Sequence, residues 1–141
     1  MKKVESLLPS AIEAIRQQKI NDNNEVDNEY KGYIDKFAAA VVHNGLLPAV
    51  IFFEQDASDN ADSNSKKIAR QRKKLMRAIL HVIKKKEIQE SQKLQKYVLD
   101  QMEQKRSMDD LRHEVGNAAT AVKLGLRTFK FIKKNDVKEN K

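Results

Sequence analysis

The residues of this chain best placed to do chemistry are its cations. Lys66, Lys67, Arg70, Lys73, Lys74, Arg77, Lys84 and Lys85 recur at helical spacing. At roughly 100° per residue they fall opposite an apolar stripe of Ile68, Leu75, Met76, Ile79, Leu80 and Ile83. One face of that helix is core, and the other is a row of positive charge suited to the phosphates of a polyanion. Arg72 breaks the pattern, because its angle places it inside the apolar stripe. Its long stem either snorkels to solvent or carries the guanidinium to a carboxylate or phosphate. A second set, Arg112, Lys123, Arg127, Lys130 and Lys134, lines one flank of the last helix.

Other chemistries lack their residues. His43, His81 and His113 lie on different helices, and none has a second ligand three or four positions on, so no metal site is expected. Asp56, Ser58 and Asn60 match the first ligand positions of a calcium loop. However, Ala61 replaces the required glycine and Lys67 the bidentate carboxylate, so the loop is read as a solvated linker. There is no phosphate-cradling glycine loop, nucleophile elbow or walled carboxylate pair. Asp109, Asp110 and Glu114 cluster where the first turn of a helix favours acids without catalytic purpose. The expectation is a protein without enzyme activity or cofactor. Aromatic residues do not interleave with the basic ones, so base stacking is not expected either.

Charge is unevenly distributed. Residues 1–65 carry a net charge of −5, residues 66–106 a net +10 and residues 107–141 a net +3, so the formal +8 is concentrated in the middle of the chain. The 141 residues are 40% hydrophobic, which suits one domain, 1–141, with one modest core. The absence of cysteine excludes disulfides and thiolate chemistry. Glu5, Glu13 and Arg16 interrupt the apolar residues of the N-terminal stretch as no signal peptide would tolerate, and no run is long enough to span a membrane. A soluble, cytoplasmic protein without membrane contact is expected.

The elements that position these residues read as helices, since no window alternates like a sheet. The predicted fold is all-α, a single compact bundle of about six helices around a central helical hairpin. Val4–Gln18 is an amphipathic first helix, and the polar stretch Lys19–Asn28 is a loop. Within the hairpin, Tyr30–Gln55, the residues Tyr30, Ile34, Phe37, Ala38, Val41 and Val42 share one side of a helix that stops at Asn44 and Gly45. Leu47 is then expected near the next N-cap, with Pro48 first in a short helix whose Ala49–Phe53 is enclosed on nearly all sides. A mobile linker, about 56–65, leads into helix four, about Lys66–Lys85, with Ser65 as its cap. Lys93–Lys105 is helix five, its inner side Leu94, Tyr97, Val98, Gln101 and Met102. Ser107 caps helix six, about Met108–Lys134, and a frayed tail follows at about 135–141. Leu124 and Phe131 lie on the far side of helix six, as a tentative protein interface. Gly116 and Gly125 are expected to be compensated by close helix approach.

The stretch EYKGYIDKFAAAVVHNGLLPAVIFF resembles the mark of the small subunit of type III-B CRISPR effector complexes, the Cmr-type RAMP module. Members tend to show a Tyr early in one helix, an Asn-Gly-Leu turn and a compact apolar helix ending in Phe. AATAVKLGLRTFKF is similar to the family's closing pattern, with Arg127 at its arginine, Leu124 where Trp is common and Thr128 where Phe is common. The resemblance implies a helical, non-catalytic subunit that stacks in several copies beside other subunits of the complex, with basic surfaces lining the path of target RNA near the guide RNA. On this reading the basic faces of helices four and six contact phosphates, which fix register without a sequence code. Two other readings stand beside it: a helical adaptor that binds only proteins, and a stand-alone, sequence-independent nucleic-acid-binding protein.

Overall fold

The computed structural model of the chain describes residues 2–133. Its elements run α1 (Lys2–Gln17), β1 (Asn21–Asp22), β2 (Glu25–Asp27), α2 (Glu29–Asn44), α3 (Leu46–Phe53), α4 (Ser63–Lys84), α5 (Leu94–Glu103), α6 (Met108–Leu126) and β3 (Lys130–Ile132). The fold is helical as the periodicity requires, with one small sheet that the periodicity does not reveal.

The helices surround a core in which α4 supplies the fully buried Leu75, Met76, Ile79 and Leu80. α1 packs most extensively on α6. Gly125 makes that approach possible, since a Cβ there would meet Ile15 Cδ1 at 3.0 Å and Ala11 Cβ at 3.5 Å. Gly116 has no such reason, because a Cβ there would meet nothing within 4 Å. At the other end of the core the rings of Phe37 (α2) and Phe53 (α3) meet edge to face at 5.3 Å.

Several boundaries depart from the sequence reading. Leu46, not Pro48, opens α3, and Gly45 is its N-cap with φ 95° and ψ 162°, a region that glycine alone enters freely. Pro48 is third in the helix and still lies in the first turn, where N–H groups have no intrahelical partner. The short helix is not enclosed: Ile51 is 40% and Phe52 50% exposed, while Leu46, Ala49, Val50 and Phe53 take its buried side. Val42 is 81% exposed at the end of α2, where the bundle no longer covers the stripe.

α4 begins earlier than expected. Asp62, rather than Ser65, is its cap, accepting from the Ser65 N–H at 2.7 Å. The helix ends at Lys84, and Lys85 turns left-handed at φ 59°. Ser107 does cap α6, accepting from the N–H groups of Asp109 and Asp110. That helix stops at Leu126, not near Lys134; Thr128 donates its hydroxyl to the Gly125 carbonyl at 2.8 Å, and the chain then extends to pair with β2. Lys130 and Phe131 therefore lie on β3, paired parallel to β2 with Val26 opposite Phe131. Lys134 and the expected tail lie outside the described residues.

Two buried carboxylates tie these elements together. Asp27, on β2, accepts from the Glu29 N–H at 3.0 Å and from Gln71 Nε2 of α4 at 3.1 Å, with Lys67 Nζ 3.7 Å away. Glu54, just past α3, is 4% exposed and accepts from the backbone N–H groups of Leu94 (2.6 Å) and Gln95 (3.0 Å). It acts as the cap that Lys93, at the N-cap position of α5, does not provide through its side chain.

Two stability outcomes follow. Gly116→Ala is expected to raise the free energy of unfolding in urea by up to about 1 kcal/mol, whereas Gly125→Leu lowers it by about 1–3 kcal/mol through overpacking. Glu54→Ala is expected to cost roughly 1–3 kcal/mol by leaving one buried and one half-buried donor without an acceptor, and to speed amide exchange at Leu94 and Gln95.

Candidate nucleic-acid interface

The cations of α4 do not share one environment. Arg70, Lys73 and Arg77 line a groove of about 310 Å³ whose opposite wall is made by Glu90, Gln92 and Lys93. Gln92 and Lys93 also border a second groove of about 530 Å³, lined by Lys84, Lys96, Tyr97 and Asp100. The two adjacent grooves share that wall, and together they form the trough between α4 and α5 bordered by Arg70, Lys73, Arg77, Lys84, Lys93 and Lys96. Lys93 and Lys96 are absent from the sequence reading, which used helix five only for its apolar side. The signal was present in the Lys-Leu-Gln-Lys run, but which wall it faces depends on packing.

Most of the acids bordering this trough are engaged within the protein. Glu54 is committed to the α5 backbone. Asp56 pairs with Lys73, whose ammonium holds its carboxyl below the usual range. Asp100 pairs with Lys96 at 3.2 Å, one turn away. Arg77 is half-buried and donates from Nε to Gln18 Oε1 at 2.7 Å. Burial pulls its pKa below the ordinary guanidinium value, and the carboxylates of Glu90 and Glu54 oppose the shift. The Gln18 contact holds it against the groove. Lys84 Nζ sits 5.8 Å from the centre of the Tyr97 ring.

The remaining predicted residues lie elsewhere. Lys66 is exposed near the start of α4, and Lys74 Nζ donates to the Lys19 carbonyl at 3.2 Å. Lys85 borders a different groove, with Arg106, Asp110 and His113. Arg112 pairs with Asp109, and Lys123 with Asp35 at 2.9 Å. Both rim an apolar groove of about 330 Å³ between α2 and α6, lined by Phe37, Val42, Val115 and Ala119. Arg127 and Lys130 are exposed beyond it. Leu124 and Phe131 are half-buried against the core, with Lys31 Nζ 5.0 Å from the Phe131 ring centre.

Arg72 neither snorkels freely nor takes a carboxylate. Its guanidinium lies 4.9 Å from the ring centre of Phe53, 5.1 Å from Phe52 and 6.0 Å from Tyr33. The fold thus brings aromatic rings to the basic helix although the sequence does not interleave them. Nε of Arg72 is buried without an acceptor among the described residues.

On the opposite side of the trough, Tyr97 donates to Glu114 Oε1 at 2.5 Å and Arg106 Nη1 donates to the same oxygen at 2.7 Å, joining α5 to α6. Burial, reinforced by Glu114, pushes the Tyr97 hydroxyl up to about 12. Among the described residues no three His, Asp or Glu side chains are grouped to hold a metal ion, and no helix is long and apolar enough to cross a membrane.

His81 is buried on the core side of α4 with Nδ1 unbonded, and burial pulls its pKa below the ordinary 6.5. The unfolded chain therefore takes up a proton that the folded chain resists. Stability is expected to hold above pH 6.5 and to fall as the pH drops from there toward the lowered folded-state value. Thermal melts of His81→Gln are expected to be flatter than wild type between about pH 6.5 and 5.

A family model described as CRISPR-associated protein (Cas_Cmr5) matches residues 7–115. The match takes in α1 through the first part of α6, including the hairpin and both walls of the trough, and stops before the closing stretch. No curated protein and no solved structure matches the chain.

Proposed function

We propose, from the premise that this chain belongs to the CRISPR-associated Cas_Cmr5 family and is a small Cmr-type subunit, that it acts as a non-catalytic scaffold of an RNA-targeting type III-B effector complex. In this role the trough between α4 and α5 holds the phosphates of target RNA beside the guide, in the cytoplasm, as part of antiviral defence. The observation that carries the reading is the trough itself. Six cations from α4 and the N-terminal end of α5 border two adjacent grooves that share Gln92 and Lys93, and most of the nearby carboxylates are already committed to lysines or backbone. Such a surface tracks a backbone without reading bases.

Contacts with copies of itself and with other subunits belong to the same proposal. Val42, Leu99 and Met102 are large apolar side chains left exposed, and the groove between α2 and α6 adds an apolar hollow rimmed by Arg112 and Lys123. Leu124 and Phe131, each partly open, extend the surface available to a neighbour. Surfaces of this kind on different faces of one chain favour head-to-tail association. They also keep in play the reading in which the chain binds proteins only.

The test separates the two. Lys73→Glu, Lys84→Glu and Lys93→Glu together are expected to reduce RNA retention in the assembled complex while leaving subunit composition unchanged. In salt titrations with single-stranded RNA, loss of three phosphate contacts lowers the slope of log K against log salt by about 2. Unchanged RNA retention and slope would sink the RNA assignment and leave the adaptor.

A further inference from the structure

We infer that Phe52 and Arg72 form a stacking site for an unpaired nucleobase of the strand whose phosphates occupy the α4–α5 trough. The inference rests on the RNA reading above and goes beyond it, because that reading assigns phosphate contacts alone.

Phe52 is an unusual residue to leave half open. Its helix, α3, has buried positions enough for Leu46, Ala49, Val50 and Phe53, yet Phe52 keeps 50% of its surface in solvent. The ring is not loose. It meets Phe53 edge to face at 5.9 Å and lies 5.1 Å from the Arg72 guanidinium, which also contacts Phe53 and Tyr33. A ring held by its neighbours while remaining half accessible is a preorganised stacking surface, with little side-chain freedom left to lose on binding.

Phe52 and Arg72 border a hollow of about 330 Å³ together with Gln55, Asp56, Ser58 and Ser65. Asp56 also borders the groove of Arg70, Lys73 and Arg77, so the hollow opens beside the phosphate trough. The charge pattern divides the work between them. Asp56 on its rim, with Asp59 and Asp62 nearby in the chain, makes the hollow less favourable to a phosphate than the trough beside it. A neutral base suffers no such repulsion, and the exocyclic amino group of adenine, cytosine or guanine would find acceptors in Asp56, Gln55 or the serine hydroxyls. The cations across Asp56 then hold the adjacent backbone. Aromatic stacking accepts any base, as a scaffold for arbitrary guides requires.

The test uses the full chain at low ionic strength with two single-stranded RNAs of equal length, oligoadenylate and a strand carrying abasic positions. Wild type is expected to bind oligoadenylate more tightly. Phe52→Ala is expected to weaken oligoadenylate binding about 5- to 150-fold, the range for one lost stacked base, while leaving abasic-strand affinity and the salt slope unchanged. Phe52→Tyr, which keeps the ring, is expected to bind as wild type does and guards against misfolding as the explanation. Equal binding of oligoadenylate by wild type and Phe52→Ala overturns the stacking site. So does an equal loss for both strands, or a Phe52→Ala effect confined to association with other subunits, which would make the hollow a protein-docking site. Where the Lys73, Lys84 and Lys93 variant loses both strands but Phe52→Ala loses neither, the trough stands without the stacking site. Wild type that binds neither strand overturns both.

Discussion

A buried carboxylate decides the shape of the proposed binding surface. Glu54 gives its two oxygens to the first backbone N–H groups of α5, at 2.6 and 3.0 Å, and by doing so fixes that helix against the end of α3. The positive end of the α5 dipole and two hydrogen bonds compensate a charge that would be costly to bury alone. Everything functional in the middle of the molecule depends on that attachment. It places Lys93 and Lys96 across from Arg70, Lys73 and Arg77, and it ties up both oxygens of a carboxylate that lines the depression they form.

α4 is the other partner in this arrangement, and its two sides work against different constraints. The inner side must fill the core with Leu75, Met76, Ile79 and Leu80, and it also accommodates His81 without a partner for Nδ1. The outer side collects like charges that repel one another unless something holds them. Gln18 does so for Arg77, Asp56 for Lys73 and Asp27 for Lys67. Only the Asp27 contact is well buried on the acid's side. The Asp56 pair is open to water, so an incoming phosphate can replace that carboxylate at little cost. Arg77 is thus held by a neutral amide, whereas Lys67 and Lys73 are held by carboxylates.

Arg72 shows how one residue can be anomalous in the sequence and orderly in the fold. Placed on the apolar side of α4, it takes no carboxylate but lies, half-buried, against the rings of Tyr33, Phe52 and Phe53. Those residues come from α2 and α3, and they reach Arg72 only because the hairpin folds against α4. Separation in sequence says nothing of this, which is why a search for interleaved aromatic and basic residues misses it.

The sequence by itself determined the helices and the two-sidedness of α4, because a helix writes its buried face into spacings of three and four residues. It also determined the Ser107 cap, whose partners are two and three residues away, and the family, whose model matches residues 7–115. The tertiary structure alone decided what depends on distant segments. β2 and β3 pair from opposite ends of the chain, so three-residue strands with no local signature end α6 early and take Lys130 and Phe131 off it. The exposure of Ile51 and Phe52 follows from which side of α3 the bundle covers, not from their hydrophobicity. Likewise Arg112 and Lys123, on the same flank of α6 that the spacing predicts, are paired with Asp109 and Asp35 and rim another groove, whereas Lys93 and Lys96 face the trough. A charge's type and helical angle are local properties. Its neighbours across a groove are set by packing between helices, and no periodicity encodes them.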